Sequence, residues 1–425
     1  MRFATLDAWL AWQAGVHPRA IDLGLERVGA VARRLDLLPL PMPVISVAGT
    51  NGKGSSVALL EAMLGAAGVR TGSYTSPHLH RYNERIRRDG RPASDEEIMA
   101  SFARIDAARG GTSLTYFEFG TLAALDLLRR WRVDVALLEV GLGGRLDAVN
   151  LVDADCALFT SIGLDHQAWL GDDVDRIGRE KAGIARRGRP AVVAMPEPPG
   201  GLLAALAERG ACILRRGRDF TVRRHAAGWD WQGPQVALRD LPPPALAGEH
   251  QIDNAAGVLM ALHTLPAALR PDAAAVRRGL ESVRLPGRFE RVAAAGVPFE
   301  LRFDVAHNAD AARRLASTLA EYPVPGRTWV LLGVLADKDA RAIVQALRDQ
   351  VDHWLLVTPP AERALPAAAL DRALADTLPA AAREVSDTPA AAWRRARAAL
   401  GPGDRLLCTG SFYTVAALQA LVAPP

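Results

Sequence analysis

Val44-Ile-Ser-Val-Ala-Gly-Thr-Asn-Gly-Lys-Gly-Ser55 is the stretch that decides the fold. Val44 to Ala48 is an apolar, largely β-branched run, the pattern of a strand buried on both faces. A glycine-rich turn follows, and the spacing predicts a helix from about Ser56 to Ala67. Strand, turn and helix together make a phosphate cradle. Main-chain N–H groups and the positive end of the helix face an anion, and Lys53 adds a point charge. Glycine suits the turn because a side chain would hold the backbone away from the phosphate. The order departs from the common Walker pattern: Gly54 separates Lys53 from Ser55, and Val47 stands where a first glycine would fall.

Outward from this unit, 425 residues allow two or three domains. A hydrophobic share of 49% with 23% charged residues describes a core-building chain. The longest apolar runs, about ten residues flanked by charges, are too short to span a bilayer. The opening Met1-Arg-Phe-Ala-Thr-Leu-Asp7 has no signal pattern. The expectation is a cytoplasmic protein with no membrane partner. Cys156, Cys212 and Cys408 are scattered, which argues against a disulfide framework or a cysteine metal site. The net charge of +4 suits anionic substrates. Its arginines are spread along the chain rather than gathered into an arm, so nucleic acid is not indicated.

Helical spacing appears at 3–14 and 23–37, and prolines at 39, 41 and 43 end that opening. Strands are expected at 69–75, 133–140, 156–162 and 191–195. Between them fall helices at 115–131 and 172–185, and one opened by the capping box Ser94-Asp-Glu-Glu97. Such alternation means a mostly parallel sheet covered on both faces. Residues 220–238 read as a small antiparallel addition, followed by helices at 251–265 and 271–283. Leu285-Pro-Gly-Arg-Phe289 breaks the pattern. The expected division is a domain over 1–287, a linker over 288–297 and a smaller α/β domain over 298–425. Strands in the latter are expected at 299–305, 328–334, 353–357 and 405–409, and the alanine-rich stretch 361–400 reads as helix-forming.

Ligands of parallel α/β sheets collect outside the carboxyl ends of the strands. The cradle, Ser76, Glu139 and His166 all fall at such ends. Their hydroxyl, carboxylate and imidazole suit a divalent ion that fills its shell with water and nucleotide phosphate. A lone glutamate there is more often solvated or capping, but the cradle and Asp165-His166 beside it favour ligation. Gly141-Leu-Gly-Gly-Arg-Leu-Asp147 reads as a substrate loop rather than a dinucleotide turn. Arg179-Glu-Lys181 is either an exposed charged helix face or a lysine near metal and phosphate, where its proton can be shed. Asp304-Val-Ala-His-Asn308 could bracket a nucleotide, with a core-satisfied histidine as the alternative. Arg288 could reach phosphate or purine.

These segments, with Thr75-Ser-Pro-His-Leu79, Thr115-Tyr-Phe-Glu-Phe119 and Leu164-Asp-His166, together resemble the Mur ligase superfamily. Within it the match is to the bacterial dihydrofolate synthase/folylpolyglutamate synthases, over nearly the whole chain. The resemblance implies a Mur-ligase-like P-loop ATPase domain with a mostly parallel sheet. A smaller Rossmann-like α/β C-terminal domain would lie on the glutamate side. It implies that Thr50, Asn51, Gly52, Lys53, Gly54 and Ser55 hold the ATP phosphates, with further ATP contacts at Asn254, Arg288 and Asp304. Mg²⁺, as two ions, would be held by Ser76, Glu139 and His166, and Lys181 would carry a carbamate. Ala20, Ile21, Asp22, Leu23, Thr115, Tyr116, Phe117, Glu118, Leu146, Asp147 and Ala148 would meet the pterin. Lys53, Lys181 and His307 are the implied catalytic residues. Ala309 stands where the family usually has proline, and Val149 where threonine is common.

The implied reaction is ATP-dependent joining of L-glutamate to dihydropteroate and to folates through an acyl phosphate, by a monomer, in folate biosynthesis. Two rivals remain. A cell-wall Mur ligase would need a separate UDP-binding domain, and the roughly forty residues before the cradle strand are too few for one. A nucleotide-dependent switch without ligation would hydrolyse ATP regardless of glutamate.

Overall fold

Val44–Ala48 is a strand, β1, buried along its whole length. The structure, a computed structural model, describes residues 2–422, so residue 1 and residues 423–425 of the expected spans lie outside the described residues. Contacts divide the chain into two units. The first holds the chain up to Ala245 together with Ile252–Val283; the second holds Leu246–Gln251 and the chain from Arg284 on.

The other strands of the first unit's large sheet are β2 (Thr71–Tyr74), β3 (Ile86–Arg88), β4 (Arg91–Pro92), β5 (Val135–Glu139), β6 (Cys156–Phe159), β7 (Pro190–Val193) and β8 (Cys212–Arg215). Their order is β4-β3-β2-β5-β1-β6-β7-β8. From β2 to β8 every pairing is parallel, and β3 and β4 add an antiparallel edge. In register, Val47 lies opposite Glu139 and Ala48 opposite Phe159. The carboxyl ends of β2, β5, β1 and β6 therefore open side by side, and the loop leaving each of these strands is delivered to one edge. A separate antiparallel sheet, β9 (Thr221–His225), β10 (Gly228–Gly233) and β11 (Val236–Leu241), forms in the stretch expected to be an addition.

The helices that place the site are α1 (Leu6–Gln13), α2 (Glu26–Arg34), α3 (Lys53–Ala66), α4 (Asp95–Arg109), α5 (Tyr116–Trp131), α6 (Gln167–Leu170) and α7 (Val174–Lys181). Helix α3 starts three residues before the expected Ser56. Its N-cap is Gly52 at φ 89°, a left-handed conformation that glycine adopts without strain, so the turn runs straight into the helix. Both α4 and α5 open on complete capping boxes, Ser94 with Glu97 and Thr115 with Glu118. Trp9, Phe102 and Phe119 are fully buried; Phe102 meets Phe119 edge to face, Trp9 meets Phe102 at a tilt, and Trp12 meets Phe119 edge to face, which packs α1, α4 and α5 together.

In the second unit, β12 (Glu290–Val292), β13 (Glu300–Phe303), β14 (Thr328–Leu332), β15 (His353–Val357), β16 (Arg383–Ser386) and β17 (Arg405–Thr409) form a sheet in the order β12-β13-β17-β14-β15-β16. All pairings are parallel except β12 with β13. Two expectations are corrected here. Residues 288–297, expected as a linker, contain β12, which pairs with β13 and so belongs to the second sheet. The stretch 361–400, expected to be helical, contains β16 between helices Ala367–Leu374 and Pro389–Ala399. Arg383-Glu-Val-Ser386 has one β-branched residue, and its strand state is imposed by main-chain pairing with β15. Among the described residues no helix is long and apolar enough to cross a membrane.

Candidate active site

The turn after β1 is laced to the end of β6. Thr50 N donates to Ser161 O at 2.6 Å, and Thr50 Oγ1 both donates to Gly163 O and accepts from Gly163 N at 3.0 Å. Asn51 O accepts from Thr160 Oγ1 at 2.7 Å and Ser161 Oγ at 2.9 Å. Thr50 and Asn51, expected to hold phosphate, thus also shape the turn itself. A Cβ on Gly52 would come within 2.7 Å of Asn254 Oδ1, so the expected ATP contact Asn254 lies directly against the turn.

Two lysines converge on one carbonyl. Lys53 Nζ donates to Gly49 O at 3.1 Å and to Thr50 O at 3.2 Å, while Lys181 Nζ donates to the same Gly49 O at 3.0 Å. Lys181 is 5% exposed. Burial and the neighbouring Lys53 charge push its ammonium down to about 7, opposed by Asp165 and Asp147. The reading of Arg179-Glu-Lys181 as an exposed charged face therefore fails for Lys181. Near neutral pH this lysine is partly the free amine.

Ser76 and Glu139 meet as the sheet order requires: Ser76 N donates to Glu139 Oε2 at 3.2 Å, and Glu139 is 5% exposed. His166 comes off the neighbouring β6 end, left-handed at φ 51°, as the exposed N-cap of α6. Asp165 Oδ1 accepts its N–H at 2.8 Å. A nearly buried carboxylate, a serine and an imidazole at one sheet edge fit a hard divalent cation, and paired cations on a glycine turn at a helix start fit a polyphosphate.

Asp147 anchors the Gly141–Asp147 loop. Its Oδ2 accepts from Leu142 N at 2.8 Å and its Oδ1 from Val149 N at 3.0 Å. Burial raises its carboxyl to about 6 against those N–H groups and Lys181. A Cβ on Gly141 would lie 2.5 Å from the Phe117 ring, so this loop and the start of α5, both expected to meet substrate, are packed together. Leu146 is half-buried and Ala148 buried. Tyr116 and Phe117 are half-buried, while Thr115 and Glu118 are buried in their capping box.

The first expected pterin segment is half open: Ala20 and Ile21 are exposed, and Asp22 and Leu23 half-buried. Arg27 joins it to α5, with Nη1 2.7 Å from Asp22 Oδ2 and Nη2 3.2 Å from Glu118 Oε1. Sequence reasoning missed Arg27; the only cue was a cation five residues after Asp22, at the start of α2.

In the second unit Asp304 Oδ2 accepts from Phe289 N and Oδ1 from Ala306 N, both at 2.8 Å. Burial raises its carboxyl, and Arg288 opposes the rise. His307 Nδ1 lies 2.8 Å from Val305 O, so that nitrogen carries the proton and Nε2 is the other face of the ring. Arg288 stacks over Phe412, 5.6 Å from the ring centre. Asn308 caps helix Ala309–Glu321.

The Mur ligase, glutamate ligase domain family matches residues 287–412. A dihydrofolate synthase/folylpolyglutamate synthase of Escherichia coli K12 is 42% identical over 418 residues, covering 98% of this chain and 95% of that protein. Among solved structures, E. coli FolC in complex with DHPP and ADP is 42% identical with a TM-score of 0.92, covering 99% of this chain and 98% of that one. A bifunctional folylpolyglutamate synthase/dihydrofolate synthase with Mn, AMPPNP and L-glutamate bound is 44% identical with a TM-score of 0.89, covering 98% of each chain.

Proposed function

The chain belongs to the dihydrofolate synthase/folylpolyglutamate synthases of the Mur ligase superfamily, and from that membership we propose how its residues divide the work. It is an ATP-dependent acid–amino-acid ligase that joins L-glutamate to dihydropteroate and to folates, and it uses ATP with a divalent metal. The substrate carboxylate attacks the γ-phosphorus and ADP leaves. The glutamate amine then attacks the acyl phosphate, and phosphate leaves. Phosphoryl transfer asks a protein mainly for positioning and charge neutralisation.

Lys53 and the turn residues Thr50, Asn51, Gly52, Gly54 and Ser55 take the phosphates, with Asn254 against the turn. Arg288 and Asp304 are the nucleotide residues of the second unit, and His307 acts beside them. Ser76, Glu139 and His166 hold Mg²⁺, as two ions. When bound, magnesium neutralises charge on the phosphates. The observation that carries this assignment is Lys53 Nζ held on the Gly49 and Thr50 carbonyls of a glycine turn that runs straight into a helix start, a cation placed where a polyanion is favoured.

Lys181 is the carbamate site. Its free amine adds to CO₂ and releases a proton, which turns a cation beside the metal edge into an anionic oxygen ligand. Incubation with ¹³C-bicarbonate should give a carbamate carbon resonance that is absent from Lys181→Met; no such resonance would remove the modification. Ala20 to Leu23, Thr115 to Glu118 and Leu146 to Ala148 meet the pterin. A cytoplasmic monomer is the proposed working form, which light scattering and cell fractionation test.

Purified protein given dihydropteroate, glutamate, ATP and Mg²⁺ should release phosphate and form a product carrying an added glutamate by mass. Phosphate release unaffected by glutamate or pterin would instead mark the switch.

A further inference from the structure

The segment between α1 and α2, residues 14–25, carries the first pterin residues and contains no helix or strand. A side-chain network gives it shape. Arg27 reaches back from the first turn of α2. Its Nη1 lies 2.7 Å from Asp22 Oδ2, and its Nη2 donates to the Asp22 carbonyl at 2.9 Å. The same Nη2 donates to Glu118 Oε1 at 3.2 Å. Glu118 spends its other oxygen on Thr115 N, at 2.7 Å, within the capping box that opens α5. With its side chain 4% exposed, Glu118 finds its partners in Arg27 and Thr115 rather than in water.

His17 supplies a second strap. Its Nε2 lies 3.0 Å from Asp22 Oδ2, and its Nδ1 lies 3.0 Å from Ser113 Oγ. Segment 17–22 is thus tied to segment 113–118 by two routes, one through a guanidinium and one through an imidazole. The guanidinium route needs a rigid planar fork, because one group holds a carboxylate, a main-chain carbonyl and a second carboxylate. Arg27 also keeps Nε buried without a partner, an unfavourable feature that packing alone does not require.

Resting on the assignment of residues 20–23 and 115–118 to the pterin-bearing acid, we propose that Arg27 and His17 are positioning residues for that acid. They hold its two binding segments in register before it arrives. Without them segment 14–25 must be ordered on binding, and that entropy loss falls on this substrate rather than on ATP or glutamate.

The test uses full-length protein and initial rates, with dihydropteroate, ATP and glutamate varied in turn. Arg27→Gln should raise KM for dihydropteroate about tenfold or more, with KM for ATP and glutamate within about twofold. Arg27→Lys should fall between Arg27→Gln and wild type, since one ammonium replaces only part of the fork. His17→Gln should give a smaller rise confined to the same substrate. An unchanged KM for dihydropteroate in both Gln variants, or an equal rise for all three substrates, overturns the proposal. If circular dichroism shows that Arg27→Gln does not fold, His17→Gln and Ser113→Ala carry the test, because neither breaks the Arg27 ion pairs. Failure of the underlying functional assignment looks different: wild-type protein would then show no phosphate release dependent on dihydropteroate.

Discussion

Lys181 is buried with its Nζ on the Gly49 carbonyl of the glycine turn. Its ammonium is held near 7 in the folded chain against an ordinary value of 10.5. Between those two values the unfolded chain binds the extra proton, so this group's contribution to stability rises with pH across that window. Below about 7 both states are protonated and the penalty of the buried charge is present in full. Lys181→Met should therefore be more stable than wild type near pH 7 in CO₂-free buffer, and its advantage should shrink towards pH 10.5; denaturant titrations across that range measure it. Lys53→Ala and Glu139→Ala should each lower kcat by about a hundredfold or more while the chain stays folded, because each removes preorganised charge from the phosphate and metal edge. Wild-type turnover in either variant would take that residue out of the mechanism. Ala309 is the first residue of its helix, and Asn308 before it is extended at φ −142° and ψ 165°, the conformation proline asks of its predecessor. Ala309→Pro should thus be tolerated and should raise stability by about 0.4–1 kcal/mol, read as a higher Tm.

At the scale of elements, the strands that place the site were legible in sequence because they are buried on both faces. Val44–Ala48, broken only by Ser46, and Val135–Glu139, apolar up to its final carboxylate, read as buried strands, and the proposed functional residues fall at or just beyond their ends. What escaped was at the edges. β8 closes one side of the first sheet, and β12 and β16 are the two edge strands of the second. Edge strands carry mixed, half-exposed sequences, and their state is decided by a neighbour distant in the chain. The early start of α3 escaped for a related reason, since a left-handed glycine replaces the usual Ser or Asp cap signal. The phosphate turn and Glu139 could be read from local pattern; Arg27 and His17 could not, because their partners lie about ninety residues away. Loop packing gives the prediction at this scale. Gly141→Ala would drive a methyl to 2.5 Å from the Phe117 ring and 3.3 Å from Asp147 Oδ2. It should cost about 1–3 kcal/mol of stability and weaken dihydropteroate binding, measured by chemical denaturation and by KM.

For the whole molecule, the instructive feature is how the chain is shared out. It passes between units at Ala245/Leu246, at Gln251/Ile252 and at Val283/Arg284. Leu246 is buried, and Glu249 N donates to Glu321 Oε1 at 3.3 Å, so the short visit to the second unit is bonded into it. A fragment beginning at Arg284 should be less stable than the same fragment with residues 246–251 fused to it, by about 1.5–3 kcal/mol for the lost leucine burial alone. Urea midpoints of the two fragments check this. Because the chain crosses between them three times, the halves make poor interchangeable parts. A gene truncated or spliced at the obvious seam delivers a piece missing one of its own stitches, so recombination between relatives should favour exchange of the entire reading frame over grafting of either half.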